Sequence, residues 1–400
     1  MKAFKVQKIE IKLTKEDKKA LDDTSKLCCR LYNYLLNYCK ADYFANNKSN
    51  YMLKAYQLTY RLKDIKERIP ILKGVYSLLL ENVSYRVRKG LLAITEDKRY
   101  ENINYQDWEK YWFTLQYSKC NVGYKVENNK LTISLSAQKK ITVKLLEKKE
   151  KFKPVYLEVT KQNDRYFAIF CKRTEVPDTM PQSLIKNWIA IDQNHENFFV
   201  AINSKGQSIR INRLQSESYF NQSIDDIVDK IKSCSCARRK KELYKALNRT
   251  TNKRKEQTDT ALHAIAKVLA SRYDLVLIGD YVPCREDIPF ENMKKVMVDR
   301  THIVLFRKIL EWDMKKQGKI FKLVNERNTT QRCCICGLQE YRNPHQRNFE
   351  CKTTGKFIIR DLNSCINIAR KGGVMVKNPV VDKIMFSYRF DFKQSRLIEL

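Results

Sequence analysis

Residues 321–373 read FKLVNERNTTQRCCICGLQEYRNPHQRNFECKTTGKFIIRDLNSCINIARKGG, and this stretch restricts the possible folds more than any other. A short apolar strand runs into a carboxylate at Glu326. A Cys-x-x-Cys-Gly knuckle follows at Cys333, Cys336 and Gly337, a second turn begins at Cys351, and Asp361 opens an amphipathic helix. Strand end, knuckle and helix start must come back to one place if they share a chemistry. The rest of the chain is therefore read for the missing partners of these groups.

Composition narrows the partner class. A chain of 400 residues with 43% hydrophobic content can bury real cores and is long enough for two or three domains. Its 78 Lys and Arg against 45 Asp and Glu give a formal charge of +33. Such an excess attracts polyphosphates by counterion release, which makes nucleic acid the leading partner class. The start, MKAFKVQKIEIKL, alternates charge with apolar residues and lacks a signal peptide's apolar run. No stretch approaches the roughly 18 apolar residues of a membrane span, so a soluble, intracellular protein with no membrane partner is expected. Thirteen scattered cysteines do not make a secreted disulfide framework; outside 333–351 they read as buried thiols.

Residues 4–13 alternate as a strand, and Thr14 with Asp17 reads as the cap of a helix that carries CCRLYNYLL on its apolar face. Two further helical patterns run over 51–94 and meet near Pro70. From 122 to 172 the pattern is β, with a hairpin turn at Gln162, Asn163 and Asp164. Strand, helices, strands suggest a β-barrel (1–42 and 119–176) interrupted by a basic helical insertion (43–118). The Tyr and Trp residues of that insertion either stack on bases or pack a core. Residues 177–187 hold two prolines and read as a linker.

A buried strand, WIAID, then ends in Asp192 and is followed by the strands FFVAIN and SIRI, the opening meander of an RNase H-like nuclease. Residues 223–272 form a basic helical pair. Its clusters Arg238, Arg239, Lys240 and Lys253, Arg254 either track a phosphate backbone or form a solvated face. The strand LVLIG, a long amphipathic helix and the strand KIFKLV follow, an order that favours parallel, right-handed packing of the two strands.

Taken together, CCRLYN with Arg30, Tyr32 and Asn33, the AIDQNHENFFVAI strand pair, VNERNTTQRCCICG and RDLNSCINIAR resemble TnpB, the transposon-encoded RNA-guided nuclease related to compact type V CRISPR effectors and to Fanzor proteins. The resemblance covers nearly the whole chain, and the NTTQxCxxCG and RDxNxxxNI pair is its specific part. It implies an α+β multidomain protein. An N-terminal β-barrel, or wedge, with a helical insertion would be followed by a RuvC-like α/β nuclease (188–326 and 357–376), a zinc-ribbon-like insertion (327–356) and a tail (377–400). It further implies an RNA-guided DNA endonuclease that binds a guide RNA and a double-stranded DNA target with a short flanking motif. The address would be cytoplasm or nucleoid in a bacterium and the nucleus in a eukaryote. Nucleic-acid contacts are expected at Arg30, Tyr32 and Asn33 and at the two basic clusters.

RuvC-like chemistry uses three carboxylates to hold two Mg²⁺ ions. Asp192 and Asp361 match two family positions. The middle glutamate of most members falls at Gly279, which cannot bind metal, and strand periodicity turns Asp280 to the other face. A subset of the family carries its glutamate in a VNE motif at the end of the next strand, where Glu326 stands. Adjacent parallel strands lie about 4.8 Å apart, so Glu326 can replace the lost acid. The zinc reading rests on Cys333, Cys336 and Cys351, with Thr354 where a fourth cysteine belongs. His345, Cys334 and Cys365 are candidates for the fourth ligand, and the ribbon is a Cys₃His site, a labile site or metal-free. Two rivals to the nuclease stay open: a nuclease-dead RNA-guided repressor and a basic nucleic-acid-binding scaffold.

Overall fold

The computed structural model describes residues 2–45, 57–96, 104–109, 112–162, 164–194, 196–282, 302–343 and 346–400. The chain divides into two compact units, Lys2–Glu175 and Val176–Leu400. The first holds seven antiparallel strands and three α-helices, β1 (Lys2–Lys12), α1 (Lys15–Ala45), α2 (Leu62–Arg68), α3 (Ser77–Glu96), β2 (Leu115–Tyr117), β3 (Tyr124–Glu127), β4 (Lys130–Ser134), β5 (Lys140–Leu145), β6 (Tyr156–Gln162) and β7 (Arg165–Glu175), among the described residues. Thr14 starts α1 through a reciprocal cap: its Oγ1 accepts the Asp17 N–H at 3.1 Å, and its hydroxyl donates to Asp17 Oδ2 at 2.7 Å.

The expected barrel is corrected to an open sheet. Its strand order is β2-β6-β7-β1-β5-β4-β3, and among the described residues the end strands β2 and β3 do not pair with each other. The helices explain why closure is unnecessary. Leu21, Leu31 and Leu35 of α1 and Leu79, Leu80 and Val87 of α3 share one core with Ile9, Leu131, Leu157 and Phe170 of the sheet. The sheet's apolar face is thus covered by helix rather than by its own far edge. The turn expected at 162–164 joins β6 to β7, with Gln162 opposite Arg165; Asn163, like residues 46–56 and 97–103 of the helical insertion, lies outside the described residues.

The second unit comprises β8 (Trp188–Asp192), β9 (Asn197–Asn203), β10 (Ser208–Asn212), α4 (Gln215–Ser233), α5 (Ala237–Arg272), β11 (Leu275–Gly279), α6 (Ile303–Lys316), β12 (Ile320–Val324), β13 (Asn348–Glu350), β14 (Phe357–Ile359), α7 (Arg360–Lys371), β15 (Phe386–Asp391) and β16 (Arg396–Glu399). Its main sheet has the order β12-β11-β8-β9-β10-β15-β16. β8, β9 and β10 form an antiparallel meander, while β11 lies parallel to both β8 and β12. All five residues of WIAID and of LVLIG are buried, as central strands covered on both faces require. The segment 177–187, expected as a linker, is tied down: the Asp274 carboxylate accepts the N–H groups of Lys186 and Asn187 at 3.1 and 3.0 Å. Residues 377–400, expected as a tail, instead contribute β15 and β16, with β15 parallel to β10. The alternation in SYRFDF was the available signal.

The two faces of this sheet have different covers. Ile189, Ile191, Val276 and Ile278 pack with α5 and α6, whereas Trp188, Ala190, Leu275 and Leu277 pack with α7 and the cysteine ribbon. The period of two then sends Asp192 and Gly279 to the α7 face, where Asp361 begins its helix. Among the described residues no helix is long and apolar enough to cross a membrane.

Candidate active site and metal centre

Asp192 ends β8 opposite Val200, and the parallel register that pairs Ile191 with Ile278 brings it level with Gly279. Next along the sheet, β12 sets Val324 opposite Gly279 and the chain turns, carrying Glu326 back over the end of β11. The Glu326 side chain fills the space beside Gly279: a β-carbon there would lie 1.3 Å from Oε1 and 2.0 Å from Cδ of Glu326. Gly279 ends an ordinary strand, so what the site needs from glycine is room. Glu326 Oε1 is buried and has no hydrogen-bond partner among the described residues.

Asp280 holds the turn that carries Glu326. Its Oδ1 accepts the Glu326 backbone N–H at 3.0 Å, and its own N–H donates to Val324 O at 2.9 Å. The buried Arg307 of α6 braces the same corner, donating from Nε to Gln193 Oε1 and from an Nη to Tyr281 O, both at 2.8 Å. Gln193 follows Asp192, and Tyr281 follows Asp280, so one guanidinium fixes the ends of β8 and β11. Neither Asp280 nor Arg307 was marked by the sequence as part of the site. The buried arginine on an otherwise apolar helix face was the signal.

Burial raises the carboxyls of all three acids. It pushes Asp192 well above the usual range, helped by the negative charges of Glu326 and Asp361. Glu326 is pushed up to about 7, chiefly by burial, with Arg307 pulling down and Asp280 pushing up. Asp361 rises through burial, opposed by Arg360 and Arg347, and accepts a hydrogen bond from Asn194 Nδ2 at 3.1 Å. The oxygens of the three acids do not all fall within 4.8 Å of one another, whereas the cysteine sulfurs described below do. Buried carboxylates on one sheet face, with an acceptor oxygen that has no partner among the described residues, offer hard oxygen donors of the kind Mg²⁺ takes.

Helix α7 also fixes the loop that delivers Glu326. Asn363 Nδ2 donates to Thr329 O and Arg332 O, both at 2.9 Å, and Asn363 Oδ1 accepts the Cys334 N–H at 2.7 Å. One turn on, Asn367 Nδ2 donates to the same two carbonyls at 2.8 and 2.7 Å. The asparagines of RDLNSCINIAR thus replace the secondary-structure partners that a buried loop would otherwise lack.

The sulfurs of Cys333, Cys336 and Cys351 lie within 4.8 Å of one another. Two turns of like build carry them: Gly337 N–H donates to Cys333 O at 2.9 Å, Gly355 N–H to Cys351 O at 2.7 Å, and both glycines have positive φ. Thr354, where the sequence lacks a fourth cysteine, hydrogen-bonds Cys351 and lowers that thiol to about 6. Three convergent thiols suit Zn²⁺. Of the candidate fourth ligands, His345 lies outside the described residues. Cys334 and Cys365 are not in the cluster; Cys334 is held by Asn363, and Cys365 donates to Val200 O at 3.2 Å under α7.

The nucleic-acid contacts expected from sequence divide. Tyr32 is 9% exposed, with its ring 5.7 Å from that of Phe113, and with Arg86 and Trp112 it lines a cavity of about 320 Å³. Asn33 bonds both ways to the Gln106 backbone at 2.8 Å, and Arg30 lies 4.1 Å over Trp108 while remaining exposed. Arg238, Arg239 and Lys253 are exposed along α5, whereas Arg254 donates to Asn221 Oδ1 at 2.6 Å and ties α5 to α4.

Residues 305–368 match the family described as Cas12f1-like, TNB domain. No curated protein matches the chain. Among solved structures, a Cas12f1-sgRNA-target DNA complex shares 13% identity with a TM-score of 0.61, covering 89% of this chain and 83% of that one. A CRISPR-Cas12f ternary complex gives 13% identity and a TM-score of 0.38 over 91% and 83%. CasPhi-2 (Cas12j) bound to crRNA and phosphorothioate-DNA gives 10% and 0.41 over 94% and 93%. The first likeness establishes a shared mixed α/β multidomain fold.

Proposed function

We propose that this chain is an RNA-guided DNA endonuclease of the TnpB and compact type V kind, belonging to the subset whose middle glutamate has moved to the next strand, here Glu326. The observation that carries the reading is the fit of Glu326 into the space at Gly279, on the sheet face that Asp192 shares and Asp361 approaches. The strand order of β8 to β12 supports an RNase H-like, RuvC-type core. The Cas12f1-like match over 305–368 and the fold shared with a Cas12f1 complex holding sgRNA and target DNA support guide RNA and DNA as partners.

In this reading Asp192, Glu326 and Asp361 would hold two Mg²⁺ ions, whose chemistry there would be activation of water and neutralisation of charge on a leaving oxygen. The protein's part is placement. Asp280 and Arg307 set the ends of β11 and β8, Asn194 orients the Asp361 carboxylate, and the asparagine clamp of α7 holds the Glu326 loop. Cys333, Cys336 and Cys351 would hold zinc, which joins the two ribbon turns below that loop. The exposed cations of α5 would follow nucleic-acid backbone.

The test is to purify the chain with its bound RNA, sequence that RNA, and offer a plasmid matching its 3′ segment. The reading predicts one defined guide and Mg²⁺-dependent cleavage of the matching plasmid alone. A defined guide with binding and no cleavage under any divalent cation favours the repressor; RNA without a defined guide favours the scaffold.

A further inference from the structure

The elbow between α4 and α5 holds two cysteines that neither the acid site nor the ribbon uses. Residues 234–236 read Cys-Ser-Cys, and the sequence reading made both thiols buried. Cys236 is instead the one exposed cysteine among the described residues, and Cys234 is half-buried. The Cys234 thiol donates to Cys236 O at 3.5 Å, so its sulfur lies against the backbone of the second cysteine. Cys236 heads α5, and its side chain makes no capping hydrogen bond. Two residues of chain keep the Cα atoms within about 7 Å even when extended, at the upper edge of what a disulfide spans. The surroundings are positive. Lys230 and Lys232 end α4, and Arg238, Arg239 and Lys240 fall in the first turn of α5, which holds no acid. Asp229, paired with Lys232 at 3.0 Å, and Glu242 are the nearest acids in sequence. The positive end of the long α5 dipole adds to this field.

We infer that this elbow is a thiol-disulfide exchange site for anionic low-molecular-weight disulfides of the glutathione kind, in which the exposed Cys236 reacts and Cys234 resolves. The cations draw in a reagent that carries net negative charge, an advantage a neutral disulfide does not share. In the first step the Cys236 sulfur, its proton removed, attacks one sulfur of glutathione disulfide. That S–S bond breaks, and one glutathione leaves as a thiolate and takes up the proton. In the second step the Cys234 sulfur, likewise deprotonated, attacks the Cys236 sulfur and expels the other glutathione. Two protein thiols and one glutathione disulfide thus become one protein disulfide and two reduced glutathiones. A bridge at the limit of its reach reopens with excess thiol, which makes the modification reversible. The mixed disulfide lays an anion among Arg238, Arg239 and Lys240; that this weakens a phosphate contact rests on the nuclease reading, whereas the exchange chemistry does not.

The experiment exposes the full-length protein, purified free of nucleic acid, to glutathione disulfide, traps the remaining thiols with N-ethylmaleimide and maps each cysteine by mass spectrometry. The native chain should join Cys234 to Cys236 before the half-buried Cys120 or Cys336 changes, and excess reduced glutathione should reopen the bridge. Cys234→Ser should stop at a mixed disulfide on Cys236, and Cys236→Ser should slow modification of the elbow by roughly tenfold or more. Arg238→Gln/Arg239→Gln should slow the reaction with glutathione disulfide by roughly threefold to tenfold and leave that with the neutral hydroxyethyl disulfide within about twofold. Unchanged melting temperatures show that the variants are folded. Cys120 or Cys336 reacting as fast as Cys236 overturns the site. A native chain that stops at the mixed disulfide overturns the resolving role of Cys234, and equal slowing with both reagents overturns the part given to the cations. No nucleic acid is bound or cut in these measurements, so a protein that proves inactive as a nuclease leaves the result standing.

Discussion

A β-carbon on Gly279 would lie 1.3 Å from Oε1 of Glu326, so the two positions cannot both carry a side chain into the site. The parallel pairing of Gly279 with Val324 accounts for this: the end of one strand and the turn after its neighbour open onto the same volume.

Gly279→Ala should therefore displace the Glu326 carboxylate without disturbing the strand. Cleavage of a guide-matched plasmid should fall by roughly 100-fold, the scale of an ångström-size misplacement in an active site. The exchange Gly279→Glu/Glu326→Gly should cut better than either single variant. Double-variant activity below both singles would count against a shared volume.

The raised Glu326 carboxyl has a consequence for stability in metal-free buffer. The unfolded chain loses this proton near 4.5 and the folded chain near 7, so the unfolded state binds fewer protons across that window and stability falls as pH rises through it. The loss is of order 3 kcal/mol. Glu326→Gln removes it, so the stability of the variant relative to the native chain should grow between pH 5 and pH 8. Chemical unfolding at both pH values checks this; a difference that stays flat contradicts it.

At the thiol cluster, Thr354→Cys should complete a four-sulfur site. Zinc retained against a competing chelator should rise by roughly tenfold or more, and Cys351→Ser should lower it. Zinc content that does not respond to either change would show that the three thiols are no metal site.

Asn363 is fully buried and satisfies three backbone groups of the loop. Asn363→Ala leaves the Cys334 N–H without its acceptor and the Thr329 and Arg332 carbonyls to Asn367 alone, and should cost roughly 1–3 kcal/mol, read by denaturant midpoint. Asn363→Asp should also destabilise, since a carboxylate cannot donate to the Thr329 and Arg332 carbonyls.

Much of this site was legible because its pieces are local. Asp192 closes an all-apolar strand, Asp361 heads a helix, and the two cysteine turns announce themselves by their glycines. The adjacency of β11 and β12 followed from strand, helix, strand. What escaped depended on long-range contact. Asp280 was set aside by strand periodicity, yet it holds the Glu326 N–H from just beyond the strand end. Arg307 looked like one more basic residue of an amphipathic helix until it reached Gln193, 114 positions away. Tyr32 shows the ambiguity of an aromatic beside an arginine, which suits a base or a core: its ring packs near Phe113 and also lines a cavity. The barrel was overread because alternation shows that a strand has an inner face without showing what covers it.

The central claim is that Glu326 completes a nuclease site with Asp192 and Asp361. Its most direct test is the Mg²⁺-dependent cleavage rate of a guide-matched plasmid by the native chain and by Glu326→Gln, each loaded with the same RNA. The account predicts guide retention that is equal in the two and a rate lower by roughly a thousandfold in the variant, ~4 kcal/mol of barrier. A Glu326→Gln protein that cuts at the native rate would contradict it.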